Sequence, residues 1–161
     1  MSRLTIRPIS TEDLATCAQM MAQSEPWLTL GRTYDASYQT ICDPAKEVYL
    51  ATDKDTIAGF IIINMTGAFV GYIQSVCVDA GWRGQGIGTQ LITYAEERIF
   101  RSAPNVFICV SSFNAGARKL YERLGYSVVG ELKDYIVAGA SEILLRKAIA
   151  PLTTFSPSVD Q

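Results

Sequence analysis

A chain of 161 residues, 48% of them apolar, has material for one buried core, and reads as a single domain. A net charge of −2 offers no basic face for nucleic acid. The absence of histidine excludes Ser-His-Asp triads, Cys-His pairs and His-ligated zinc, so any general base is a carboxylate, tyrosine, cysteine, lysine or ordered water.

The opening LTIRPIS alternates Leu4 and Ile6 with Thr5 and Arg7 and predicts a strand. It lacks the basic start and apolar run of a signal peptide, and a cytoplasmic location is expected. Ser10, with Asp13 three residues on, marks a helix start. Leu14, Cys17, Ala18 and Met21 then fall on one helical face. From Ser24 to Pro44 the chain is irregular and aromatic, with a second helix predicted over Tyr34 to Cys42. Three strand-like runs follow, Glu47 to Thr52, Ile57 to Met65 and Phe69 to Asp79, punctuated at Asp53–Asp55 and Met65–Ala68 as in an antiparallel meander. The apolar stretch near Ile57 to Met65 is too short to span a bilayer, and no membrane association is expected.

A helix from Gly86 to about Arg101 carries Ile87, Leu91, Ala95 and Ile99 on one face and is broken by Pro104–Asn105. Val106 to Val110 reads as a short buried strand. Asn114 is a good N-cap for a helix with Ala117, Leu120, Tyr121 and Leu124 inward, and Gly125 stands where a left-handed C-cap belongs. Tyr126 to Val137 and Ser141 to Lys147 are the last strands, split by Gly139. This order predicts an α/β fold of the mixed α+β kind, with a central mixed, largely antiparallel sheet and helices on both sides. The domain is expected over residues 1–149, with a disordered Ser/Thr/Pro-rich tail over 150–161. The four cysteines, Cys17, Cys42, Cys77 and Cys109, form no CxxC pair and read as buried, reduced thiols.

The segment that carries chemistry is SVCVDAGWRGQGIGTQLI, Ser75 to Ile92. A β-branched strand ends at Asp79, and a glycine-rich turn then opens an amphipathic helix. Glycines let a backbone approach a ligand closely, and the first helical turn has free N–H donors that suit an anion such as a pyrophosphate. The spacing is neither GxGxxG, because Thr89 stands at the third glycine, nor a P-loop, because Ile87 stands at its lysine.

Arg83-x-x-Gly86-x-Gly88 resembles the pyrophosphate loop of the GNAT superfamily of N-acetyltransferases, and VCVDAGW before it is similar to that family's strand end. NAGARKLYERLGY, Asn114 to Tyr126, is similar to a second motif of the family at the right distance. The resemblance spans about Leu4 to Lys147 and implies a GNAT-like acyl-CoA N-acyltransferase fold, in which acetyl-CoA donates an acetyl group to a primary amine in a ternary complex. It implies that backbone groups of Val76, Cys77 and Val78 bond the pantetheine arm. It further implies that Arg83, Gly84, Gln85, Gly86, Ile87, Gly88 and Thr89 form the pyrophosphate loop. Asn114 would bond the arm, Ala117 would pack against it, and Tyr121 would point at the sulfur as the catalytic acid.

Relatives place a glutamate near the position of Gln74 or of Cys109. Gln74 is no base and Cys109 is a poor match, so the family's usual base does not carry over and a water chain is expected to drain the amine's proton. The implied partner is an amine acceptor, small molecule or protein, and a homodimer is compatible. No metal site is expected. Trp27, Tyr34, Tyr38 and Tyr135, with Glu25, Asp35, Glu131 and Asp134, are the candidate acceptor side, and Glu96, Glu97 and Arg101 read as an ordinary charged helix face. Two alternatives stand beside the enzyme. One is a CoA-binding regulatory module without turnover. The other is a nicotinamide-dependent reductase, which the glycine spacing disfavours.

Overall fold

The computed structural model describes residues 4–158. In chain order the elements are β1 (Thr5–Pro8), a 3-10 turn (Thr11–Asp13), α1 (Leu14–Ala22), α2 (Tyr34–Ile41), β2 (Lys46–Asp53), β3 (Thr56–Asn64) and β4 (Tyr72–Val78). A second 3-10 turn (Ala80–Trp82), α3 (Ile87–Phe100), β5 (Asn105–Ser111), α4 (Ala115–Arg123), β6 (Ser127–Lys133) and β7 (Ser141–Ala148) complete it. The strands form one sheet in the order β1-β2-β3-β4-β5-β7-β6. The β4–β5 pair is parallel, and β1–β2, β2–β3, β5–β7 and β6–β7 are antiparallel. The sheet is therefore mixed and largely antiparallel, as the order of elements predicts.

Contacts group the chain into two compact units, Met1–Asn64 with Gln74–Ala95, and Met65–Ile73 with Glu96–Gln161. In the first unit, alternation along the strands splits the sheet into two covered faces. Val48, Leu50, Phe60, Ile62 and Cys77 cluster with Cys17, Ala18 and Met21 of α1 and Ile41 of α2. On the opposite face Tyr49 stacks against Tyr94 of α3 with ring centroids 4.9 Å apart. A side chain at Gly59 would meet Leu91 of α3 at 3.3 Å and the Cys77 carbonyl at 2.6 Å. Gly59 thus lets β4 come closer to β3 than any other residue would allow. Helices lie on both sides of these strands.

The start of α1 follows from its sequence. The Ser10 N–H and hydroxyl both donate to Asp13 Oδ2, at 2.9 and 2.8 Å, in a capping box. Arg7 of β1 closes the group with Nη1 2.7 Å from Oδ2 and Nη2 3.0 Å from Oδ1. This bidentate ion pair holds the Asp13 carboxyl well below the usual carboxylate range. Trp27 is buried in the α1–α2 cluster, and the partly buried Tyr38 packs against that cluster.

In the second unit Val106, Ile108 and Val110 of β5 and Ile143 and Leu145 of β7 are buried apolar strand positions. Asn114 caps α4 as predicted, its Oδ1 accepting the Ala117 N–H at 3.2 Å. The helix ends at Gly125, whose φ is +97°, and the Tyr126 N–H donates to the Tyr121 carbonyl at 3.0 Å. The segment after β7, expected to be without order, carries a turn at Pro151, a half-buried Phe155 and a Ser158 N–H donating to the Arg101 carbonyl at 2.9 Å. Among the described residues no helix is long and apolar enough to cross a membrane.

Candidate active site

The strand–turn–helix of the first unit is continuous. The Asp79 N–H donates to the Ala58 carbonyl at 2.9 Å and fixes the end of β4 against β3. The Asp79 carboxylate then accepts the Gly81 N–H at 3.0 Å and caps the short 3-10 turn. Arg83 turns back, its Nε donating to the Val78 carbonyl at 3.3 Å, and Gln85 Nε2 donates to the Gly81 carbonyl at 3.4 Å. Gly84 and Gly86 both have positive φ, +74° and +80°, and a Cβ at either would meet nothing within 4 Å. Glycine is needed there for the backbone conformation, and the space in front of it is open. Ile87 anchors the helix start in the core, and the Gln90 N–H donates to the Gly86 carbonyl at 3.0 Å. Ahead of that first bond, Ile87, Gly88 and Thr89 form the opening turn of α3, whose N–H groups have no acceptor within the helix and which carries the positive end of the helix dipole.

On β4, the Cys77 side chain is directed into the core, its thiol 3.7 Å from the Ser24 hydroxyl, and burial pushes its pKa up to about 11. Only its backbone is available to a ligand. β4 is in register with β5 at Tyr72↔Phe107 and Ile73↔Ile108. Further along β4, Gln74 Oε1 is buried with no hydrogen-bond partner, a vacant acceptor beside Val76, Cys77 and Val78. A ligand N–H would satisfy it.

In the second unit α4 carries Asn114 and Ala117 on its first turns and Tyr121 on the next. Tyr121 is 8% exposed, and burial pushes its phenol up to about 12. Its ring meets Tyr126 edge-on at 6.1 Å. The Tyr126 hydroxyl in turn donates to Glu96 Oε1 at 3.0 Å, and Lys147 Nζ donates to Glu96 Oε2 at 2.9 Å while standing 5.9 Å over the Tyr126 ring. Glu96 is thus no ordinary surface charge. Position 96 falls on the inward side of α3 beside Ala95, but a glutamate there resembles any other helical charge until Tyr126 and Lys147 are brought to it.

Further groups escaped the sequence reading. Glu142 on β7 is 6% exposed and accepts a hydrogen bond from Ser111 Oγ of β5 at 2.6 Å. Burial raises its pKa, and the Ser111 bond pulls the other way. On the same strands the Tyr72 hydroxyl is hydrogen-bonded to the Cys109 thiol. Burial raises both of these pKa values as well. The only sequence signal was alternation, which puts Glu142 on the face of β7 shared with Leu144.

The acceptor-side carboxylates are partly engaged. Glu25 Oε2 accepts the Thr29 hydroxyl at 2.7 Å, and Asp134 Oδ1 accepts the Gly139 N–H at 2.7 Å across the β6–β7 turn. Asp35 lies in the first turn of α2. Cys42 is exposed and Cys109 intermediate, so only Cys17 and Cys77 are the buried thiols expected of all four. Among the described residues no cluster could hold a metal ion.

The sequence profile described as Acetyltransferase (GNAT) family matches residues 11–126. Blasticidin-S acetyltransferase of Streptomyces morookaense is 30% identical over 99 residues, 62% of this chain and 72% of that protein. N-alpha-acetyltransferase RimI of Mycobacterium tuberculosis is 26% identical over 152 residues, 89% of this chain and 92% of that protein. The crystal structure of the ribosomal-protein-S18-alanine N-acetyltransferase from Escherichia coli shares the fold, with a TM-score of 0.75 at 18% identity over 92% of this chain and 96% of that one. With the glycine-rich turn, the vacant first turn of α3 and the capped α4 motif in place, the chain belongs to the GNAT family of acetyltransferases and is an N-acetyltransferase that uses acetyl-CoA as donor.

Proposed function

We propose that residues 83–89 hold the donor pyrophosphate, that the backbone of Val76 to Val78 and the vacant Gln74 Oε1 take the pantetheine arm, and that Tyr121 acts on the leaving sulfur. The observation that carries this is the turn itself: Gly84 and Gly86 at positive φ, facing open space, immediately before the opening turn of α3. The side-chain oxygen of Asn114 is engaged in capping, which leaves its amide N–H groups as donors for the arm. Ala117 packs against the arm because it has no bulk to exclude it. Arg83 adds a positive charge to the dipole of α3.

An alkyl ammonium has a reference pKa of about 10.4, so the acceptor arrives protonated and must lose a proton before its lone pair can attack the thioester carbon. A backbone N–H near Val78 stabilises the negative charge that develops on the thioester oxygen. Burial keeps the Tyr121 phenol protonated throughout the neutral range, so its O–H is always available to the sulfur as the C–S bond breaks.

For the acceptor we infer the α-amine of a protein chain, in the cytoplasm, where acetyl-CoA and reduced thiols coexist. Support comes from the N-alpha-acetyltransferase that aligns along nearly the whole chain, whereas blasticidin-S acetyltransferase aligns over 62% of it. A panel of short peptides with free α-amines, run beside blasticidin S and spermidine, tests this by release of free CoA. Peptides are expected to turn over fastest. Preferential turnover of either small molecule would replace the protein acceptor.

A further inference from the structure

Among the described residues two carboxylates are buried, Asp13 and Glu142. Asp13 is paired with Arg7 in a bidentate ion pair. Among the described residues Glu142 forms no ion pair; Ser111 Oγ donates to its Oε1 at 2.6 Å. A buried carboxylate without a counter-charge is costly to a fold, and one that serves only packing is readily replaced by a neutral residue. Arg146, four positions further along β7, is too distant to compensate it and has its Nε on Asn105 Oδ1 at 2.7 Å.

The face around Glu142 mixes polar and apolar side chains and is half-buried. Register pairs Ser111 with Glu142 and Cys109 with Leu144, so these four side chains share one face. Tyr72, in register with Phe107, lies on that same face and is hydrogen-bonded to Cys109. Tyr72, Cys109 and Leu144 are half-buried, which leaves the face reachable. The titratable groups facing Glu142 are therefore Cys109 of β5, Tyr72 of β4 and, at the β6–β7 turn, Tyr135, which acts on Tyr72. From β6, the residue opposite Glu142 is Leu132, while Glu131 and Lys133 alternate to the other face. None of the facing groups is a cation. The site lacks one positive charge, and the acceptor of this enzyme brings one.

We propose that Glu142, held by Ser111, is the group that receives the acceptor ammonium and takes its proton. The carboxylate first pairs with R–NH3⁺, then removes one proton to give the neutral acid and R–NH2. The nitrogen lone pair forms the C–N bond, and the C–S bond breaks with its electrons left on sulfur. The second proton lost from nitrogen neutralises the sulfur through Tyr121, which gives one proton and regains one. Glu142 returns its proton to water. The raised pKa of Glu142 narrows the gap between the carboxyl and the amine it must deprotonate. This assignment rests on the acetyl-transfer reading and not on the identity of the acceptor.

The test is the pH dependence of turnover for Glu142→Gln, measured with whichever amine of the peptide, blasticidin S and spermidine panel the unmodified chain acetylates fastest. Glutamine keeps the Ser111 bond and removes the charge. We expect kcat to fall by roughly 10²-fold, the common scale for loss of a general base. The acidic limb of the profile should vanish, with acetyl-CoA affinity and Tm undiminished. Ser111→Ala should move that limb to higher pH, because Ser111 stabilises the ionised carboxylate. A change confined to KM in Glu142→Gln would show a cation contact without proton transfer and would overturn the base role, as would wild-type kcat with an intact limb. If Glu142→Gln does not fold, Glu142→Asp and Ser111→Ala decide: an unmoved limb in both rejects the proposal.

Discussion

At the scale of single residues, burial decides what Tyr121 can do. A phenol pushed up to about 12 is a poor source of free protons but a permanent hydrogen-bond donor. In the role we propose for it, its effect belongs to the moment at which charge builds on sulfur, not to binding of the donor. Tyr121→Phe is therefore expected to lower kcat by roughly 10²-fold while leaving the acetyl-CoA Kd within twofold, as read by calorimetry beside steady-state rates. Equal turnover in both forms would return Tyr121 to core packing against Tyr126. The same scale explains why Glu142 was overlooked. A glutamate in SEILLRKA gives no hint of its burial until β5 supplies Ser111.

At the scale of elements, the turn before α3 and the start of α1 each support a prediction. Gly86→Asp places a Cβ at a φ of +80° and a carboxylate in the open space where we propose the pyrophosphate binds. Acetyl-CoA affinity should fall at least tenfold, or about 1.4 kcal/mol, in a variant whose circular dichroism is unchanged. Unchanged affinity would move the pyrophosphate elsewhere. At α1, Asp13 has a folded pKa depressed by Arg7 and by the Ser10 donors. A depressed carboxylate contributes stability that is present above its unfolded pKa, about 4, and is lost as pH falls through that value toward the folded one. Asp13→Ala should cost about 1–2 kcal/mol at neutral pH by urea melting, the usual cost of losing a cap, and the gap from wild type should close as pH falls below about 4. A gap that does not change with pH would mean that packing, not the charge, is what Asp13 supplies.

At the scale of the whole molecule, the cysteines report which parts of the chain are closed. Cys17 and Cys77 lie in the cluster under α1 and α2, with pKa values pushed up to about 12 and about 11, whereas Cys42 is exposed after α2. Thiol labelling of the native protein should modify Cys42 within minutes, with Cys17 and Cys77 reacting only at the rate of unfolding. Mass mapping of the labelled peptides checks this, and early modification of Cys17 would show that the first unit opens far below its melting point.

The order of elements, the helix starts at Ser10 and Asn114, the stop at Gly125 and the glycine turn from Gly84 to Gly88 were legible in the sequence, because each is fixed by local rules of capping, periodicity and backbone freedom. The sequence also carried the acetyl-transfer reading, since the glycine-rich turn that resembles the family's loop is a contiguous stretch of chain. Long-range pairing was not legible, and it determined the rest. It buried Trp27 in the core, joined Glu96 to Tyr126 and Lys147, and set Glu142 beside Ser111 thirty-one positions away. A side chain's pKa and its accessibility depend on neighbours that strand register brings together, so a reading along Gln74 and Cys109 gave no sign of the buried carboxylate one strand further on. Only the tertiary structure could place it there.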